Sequence, residues 1–475
     1  MIDKKDAELL KEKLFNNKRN AWNLKSSDEK EKIFEYSKNY INFLNNSKTE
    51  REIISSSKKI ADDNGFKDIN EFSNLQPGDK IYYINKDKSM YLAVIGKDIL
   101  KDGLNIIGSH ADSPRLDLKP NPLYEDSEFA YFKTHYYGGI KKYQWTTIPL
   151  SIHGVIVKTN GEKINVNIGE NDDDPIFTIT DLLPHLAQDQ MEKKLKNGID
   201  GEDLNLLIGS IPYDADVTEK VKLNILNILN NKYGITESDF LSSEIELVPA
   251  FKARSMGFDN SMVAAYGQDD KVCVYTSLTA LMNINNPETT AVCIISDKEE
   301  IGSMGNTGME SAVFDTFIAE ILNKLNVNNA NVLDKVFCKS KMLSADVDAG
   351  LDPIYSSVSE KNNASYLGRG IGLCKYTGAR GKSGASDANA EFVAEVRNIF
   401  ERNNIRYQIS ELGKVDIGGG GTIAYILANK GIEVIDCGIP VLSMHAPYEV
   451  TSKLDVYEAY NAYLAFWKNW NITFI

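Results

Sequence analysis

Residues 289–300 read TTAVCIISDKEE. The apolar run AVCIIS is short and ends abruptly in charge, the pattern of a buried strand that closes on two adjacent carboxylates, Glu299 and Glu300. Further runs of the same kind follow: KMLSADVD (341–348), IRYQISEL (405–412) and IEVIDCG (432–438). Between and after them lie stretches of helical spacing, SAVFDTFIAEILNKL (311–325), SDANAEFVAEVRNIFERN (386–403) and KLDVYEAYNAYLAFWKNW (453–470). The last places Leu454, Tyr457, Tyr460, Leu464 and Trp467 on one side. Alternation of this kind predicts an α/β fold, a mostly parallel central sheet flanked by helices.

Upstream, LNIIGSHADSPRLDLKP (104–120) is another apolar strand running into polar residues, and KIYYIN (80–85) and YLAVIG (91–96) add strands before it. Residues 28–64 read as helical, with Ile33, Tyr36, Tyr40 and Phe43 at three-to-four spacing. From Asn121 to Val248 the texture changes to short alternating strands (SIHGVIVKT, KINVNIG) and acidic or glycine-bearing turns (NDDDP, NGIDGEDLN). The expected organisation is one α/β domain, 1–120 with 249–475, interrupted by a β-rich insertion, 121–248.

With 475 residues, 42% apolar and 25% charged, the chain can bury an ordinary core. A net charge of −14 argues against nucleic acid as a partner, since polyanion binders carry a basic footprint. Five widely spaced cysteines without a CxxC pair read as neither a disulfide framework nor a thiolate zinc site. The N-terminus is charged without an apolar signal core, and no apolar run approaches membrane-spanning length, so a cytoplasmic location without membrane partners is expected.

Chemistry concentrates at strand ends. In GSHADSP, His110 and Asp112 are two residues apart and project to the same side of an extended segment, where a carboxylate can orient an imidazole toward a metal. In SDKEEIGSMG, one carboxylate can bind a metal while its neighbour reaches the water on it. MLSADVDAG offers Asp346, VLSMHAPYE offers His445, and SMGFDNSM offers Asp259 at the start of an expected helix, a position where Asp also serves as an N-cap. Open α/β sheets gather their sites at the carboxyl ends of strands. Imidazole mixed with carboxylate suits zinc, cobalt or manganese, and the ligand count suits two divalent ions sharing one carboxylate.

The segments GSHADSPRLDLKP, FDNSM, SDKEEIGS, MLSADV and VLSMHAPYE occur in the order of the aspartyl aminopeptidase and vacuolar aminopeptidase I family of dinuclear zinc metallopeptidases, which the chain resembles over nearly its whole length. The resemblance implies a zinc exopeptidase-like core with an inserted dimerisation or lid domain. It implies that Asp259 bridges two Zn²⁺ ions (Co²⁺ or Mn²⁺ as substitutes), that His110 and Asp346 complete one site and Glu300 and His445 the other. It further implies that Glu299 is the general base and that Asp112 orients His110. Phe258 stands where leucine is usual and Lys298 where histidine is frequent, departures that bear on pocket shape.

Three secondary features follow. The four glycines 418–421 in GKVDIGGGGTIA lack a Walker lysine, and the resemblance sets Gly419 and Gly420 beside the substrate backbone. GARGKSGASDAN carries Arg380 and Lys382, and the resemblance implies that a basic residue near here meets an acidic substrate side chain. His185 in DLLPHLAQD matches a segment that in the family reaches the partner subunit's active site. The expected activity is removal of the first residue of peptide substrates by a homo-oligomer built from dimers, as large as a dodecamer. The alternatives are a carboxypeptidase or amide deacylase on the same core, or a non-catalytic scaffold. Retention of Glu299 beside every expected ligand argues against the scaffold.

Overall fold

Apolar strands that lie at the centre of a sheet are buried on both faces and lose the alternation of a half-exposed strand. Thr290–Ser296, Leu104–His110 and Lys341–Ser344 are of this type, buried almost throughout. They occupy the middle of a nine-stranded sheet in the computed structural model of the chain, which describes residues 4–16, 19–327 and 330–468. Leu104–His110 pairs in parallel with both neighbours, and Lys341–Ser344 pairs in parallel with Glu433–Gly438. The flanks are partly antiparallel: Ser89–Val94 runs against Thr290–Ser296, and Ile371–Cys374 against Glu433–Gly438. The sheet is therefore parallel where its centre supports a site and mixed toward its edges.

Side chains alternate between two cores. Ile107, Cys293, Ile295 and Leu343 meet residues of the helices Ser27–Asn45, Glu50–Asp63, Gln268–Met282, Ala390–Arg402 and Lys453–Lys468. Ile106, Val292, Ile294 and Met342 meet Phe314, Phe317, Ile321, Val336 and Leu427 on the other side. Each such aliphatic side chain contributes roughly 1.5–3 kcal/mol by burial. The early helical stretch breaks into two helices, each started by a capping box, Ser26 with Glu29 and Thr49 with Glu52. The C-terminal helix Lys453–Lys468 is buried around more of its circumference than one stripe. Leu454 and Trp467 are buried as expected and Tyr457, Tyr460 and Leu464 only in part, while Val456, Tyr463 and Phe466 are buried too. Residues 469 and 470 of the segment read as this helix lie outside the described residues.

A six-stranded antiparallel sheet stands apart with its own core of Leu116, Phe132, Trp145, Ile152, Leu206 and Leu247. It is built from Arg115–Asp126, Phe129–Tyr137, Leu150–Val157, Lys163–Ile168, Leu206–Gly209 and Ser243–Pro249. It starts at Arg115, inside the segment expected to belong to the first domain, because the chain turns into it directly after the His110 strand end. A third sheet joins Arg254–Met256, Met262–Ala265, Glu449–Ser452, Pro440–Leu442 and Asp348–Ala349. Four of the cysteines, Cys273, Cys293, Cys374 and Cys437, are buried and free, and Cys338 is exposed. Among the described residues no helix is long and apolar enough to cross a membrane.

Candidate metal centre

The parallel strands end at one level and deliver their polar residues to one place. His110 closes Leu104–His110, Asp346 follows Lys341–Ser344, and Glu299 and Glu300 follow Thr290–Ser296. His445 follows Pro440–Leu442 of the third sheet. Asp269 lies at the start of the buried helix Gln268–Met282, where the helix N-terminus favours a carboxylate. Two groups of three have ligand atoms within 4.8 Å of one another: His110, Asp269 and Asp346, and Asp269, Glu300 and His445. Asp269 belongs to both. Its Oδ1 is 3.3 Å from His110 Nε2 and its Oδ2 is 3.2 Å from His445 Nε2.

The other ring nitrogen of each histidine is held. His110 Nδ1 faces the Asp112 carbonyl at 3.0 Å and Asp112 Oδ1 at 3.4 Å, and His445 Nδ1 faces the Gly139 carbonyl at 2.8 Å. Such partners fix the ring and turn the remaining nitrogen toward a metal. Asp112 is fully buried and does more than orient His110. It accepts the backbone N–H groups of Glu299 and Glu300 at 3.1 and 3.0 Å.

The electrostatics call for cations. Asp269, Glu299, Glu300 and Asp346 crowd a desolvated space, and buried like charges cannot all persist uncompensated. Burial pushes Glu299 up to about 7 although His110 pulls it down. Burial, with Asp269 alongside, lifts Glu300 well above the usual carboxylate range, and burial does the same to Asp346. Burial opposes charge on His445, but its hydrogen bond to Asp269 and the Glu300 charge raise it to about 10. Asp269 Oδ1 and Glu300 Oε1 are buried without a hydrogen-bond partner. Orphaned carboxylate oxygens, imidazole nitrogens aimed inward and excess negative charge together fit divalent cations of the zinc type.

The structure does not bring Asp259 to this cluster. FDNSM forms the turn between Arg254–Met256 and Met262–Ala265, not a helix start. Asp259 is exposed there, its Oδ1 accepts the Ser261 N–H at 3.1 Å, and Phe258 beside it is fully exposed. A two-strand hairpin needs a polar tip, and Asp-Asn supplies it. Asp269, not Asp259, is the carboxylate common to the two groups. The sequence signal for it is the pair Asp269-Asp270 opening the apolar stretch KVCVYTSLTALM. Asp270 is also used, since its Oδ2 accepts the His110 N–H at 3.2 Å. Glu449, at the end of VLSMHAPYE, is buried and accepts the N–H of His445 at 2.8 Å and of Asp269 at 3.0 Å, tying the two residues to one carboxylate.

A cavity of about 450 Å³ opens on the cluster, lined by Asp269, Glu299, Glu300, Asp346 and His445 and by Gly419 and Gly420. No lysine or arginine among the described residues lines it. Arg380 and Lys382 line a neighbouring chamber that shares Thr377 and Leu412 with it, and Lys382 is held by Asp387 at 3.0 Å. His185 sits in an exposed turn, Pro184–Leu186, outside the cavity. His153 is buried between Glu52 and Glu170, and His135 is exposed on the strand Phe129–Tyr137.

Residues 43–467 match the model of the family described as aminopeptidase I zinc metalloprotease (M18). A "Probable M18 family aminopeptidase 1" of Clostridium acetobutylicum is 51% identical over 456 residues, 95% of this chain and 98% of that protein. The crystal structure of an M18 family aminopeptidase from Thermotoga maritima superimposes with a TM-score of 0.92 at 45% identity, covering 96% of this chain and all of that one. The S. cerevisiae mApe1 dodecamer shares the fold, with a TM-score of 0.74 at 21% identity over 93% of this chain and 98% of that one.

Proposed function

Because the chain belongs to the aminopeptidase I zinc metalloprotease (M18) family and is a metal-dependent aminopeptidase, we propose that it works through two cations sharing Asp269. His110 and Asp346 complete one position, and Glu300 and His445 the other. The observation that carries this reading is the placement of the two Asp269 oxygens, one toward each histidine. Divalent ions held there supply Lewis acidity, lowering the pKa of water and polarising the scissile carbonyl.

The chain's own groups do the rest. Glu299 belongs to neither group of three, yet its Oε2 is 3.9 Å from His110 Nε2, on the margin of the cluster. Its carboxylate takes the proton from the attacking water and returns it to the leaving nitrogen. The carboxylate-rich cavity attracts a free α-ammonium group and so favours the first residue of a peptide. Gly419, with φ +124, has no room for a side chain, since a Cβ would fall 2.2 Å from the Gly378 carbonyl oxygen; it keeps the loop close to the cavity wall.

Two finer readings belong here. Arg380 supports a preference for acidic first residues, because Lys382 is already paired with Asp387. The exposed run Leu182, Leu183, Leu186 and Met191 beside His185 supports assembly of copies through the inserted sheet; a single-chain mass in solution contradicts it.

Glu299→Gln is expected to retain zinc and lose turnover by roughly 10²–10⁴-fold. Near-normal turnover in the zinc-loaded variant removes Glu299 from the base role. Run on aspartyl-, glutamyl- and leucyl-anilides, the same assay decides the Arg380 reading: Arg380→Ala should lower the acidic rates selectively, and a wild-type leucyl preference rejects it.

A further inference from the structure

The last residues of the strand Phe129–Tyr137, which belongs to the inserted sheet, return to the metal centre of the α/β domain. The Tyr137 hydroxyl donates to Asp112 Oδ2 at 2.9 Å. Gly138 packs on Glu300: a Cβ placed there would lie 3.3 Å from the Glu300 Cβ. The Gly139 carbonyl takes the His445 ring nitrogen. Tyr137 is itself fixed from below, its ring lying over the Arg115 guanidinium with 4.0 Å from Cζ to the ring centroid. Arg115 is buried and held by Asp117 at 2.8 Å, Glu246 at 3.3 Å and Glu50 at 3.4 Å. Asp117 and Glu246 come from the inserted sheet and Glu50 from a helix of the α/β domain.

Among the described residues Asp112 is the one carboxylate that touches His110, the Glu299 backbone and the Glu300 backbone together. It has few ways to be misplaced without moving a ligand or the base. Its Oδ2 is shared between the Glu300 N–H and the Tyr137 hydroxyl, so the hydroxyl sets where that oxygen rests. Tyr137 does not line the cavity and cannot act on substrate directly.

We propose that Tyr137 is a positioning residue: through its hydroxyl the inserted sheet sets Asp112, and through Asp112 it sets His110, Glu299 and Glu300. The inserted sheet is thereby part of the metal centre's outer layer and not solely a surface for contact between copies. This inference rests on the two-cation reading above.

Tyr137→Phe keeps the ring over Arg115 and removes one hydroxyl. Zinc retention against a chelator, the visible spectrum of the Co²⁺-substituted enzyme, kcat and KM, and the thermal midpoint are measured for wild type, Tyr137→Phe, Asp112→Asn and the double variant. The expected result is a loss of about 10-fold in zinc retention and in kcat, the low end for partners of metal ligands. The Co²⁺ bands should shift, while KM and the thermal midpoint hold. In the Asp112→Asn background the Phe substitution should cost nothing further, because its effect passes through Asp112. Zinc retention and a Co²⁺ spectrum equal to wild type overturn the proposal, as does the same loss repeated in the Asp112→Asn background. A wild type that neither retains zinc nor hydrolyses peptides overturns the two-cation reading itself, and this inference with it.

Discussion

On the two-cation reading proposed above, Asp269 shows what one side chain must satisfy to join two metal positions. It must be short, carry two equivalent oxygens, and sit where two histidines can face it from opposite sides. It is buried at a helix start, and Glu449 fixes its backbone. Asp259 has the same side chain but fails the last condition, since it lies in an exposed turn away from both histidines, although FDNSM fits the expected order of motifs. Motif order along a chain is satisfied by either aspartate. Only the fold distinguishes a hairpin tip from the start of a buried helix. His110, Glu299, Glu300, Asp346 and His445 were legible because each ends an apolar strand, and the structure gathers them. Glu449 and Tyr137 were not, because a carboxylate or hydroxyl that binds backbone or another side chain leaves no spacing pattern.

Among elements, the central strands were readable from apolar runs and the helices from three-to-four spacing. The start of the inserted sheet was not: Ser113-Pro114 separates the His110 strand from RLDLKP, but the alternating texture of the insertion becomes plain only further along the chain. The junction between insertion and α/β domain is polar and can be tested by pH. His153 of the strand Leu150–Val157 bridges Glu52 of the helix Glu50–Asp63, at 2.7 Å, and Glu170, at 3.1 Å, and Lys48 joins Glu170 at 2.6 Å. Burial works against the Glu170 carboxylate, yet His153 and Lys48 bring it from 4.5 down to about 2. The folded pKa lies below the unfolded one, so the stabilisation is complete above about pH 4.5 and lost as pH falls toward 2. Its size is on the order of 2 kcal/mol after solvent screening at the junction. His153 runs the other way: its partners raise it against burial, so its share is lost as pH rises through its folded pKa. The thermal midpoint of wild type should fall more steeply between pH 5 and 3 than that of Glu170→Gln. Parallel slopes would show that the pair does not stabilise the junction.

At the scale of the whole molecule, three sheets meet at one point. The parallel centre of the first supplies His110, Asp346, Glu299 and Glu300, and the third supplies His445 and leads into Asp269. The second supplies Tyr137 and Gly139. Chain segments more than 300 residues apart thus meet at one carboxylate, His110 and His445 each facing Asp269. The most direct test is zinc content by anomalous diffraction from crystals of wild type, Asp269→Asn and Asp259→Asn. The account predicts two zinc positions in wild type and in Asp259→Asn, and loss of at least one in Asp269→Asn. Two full positions in Asp269→Asn, with loss in Asp259→Asn, would contradict it.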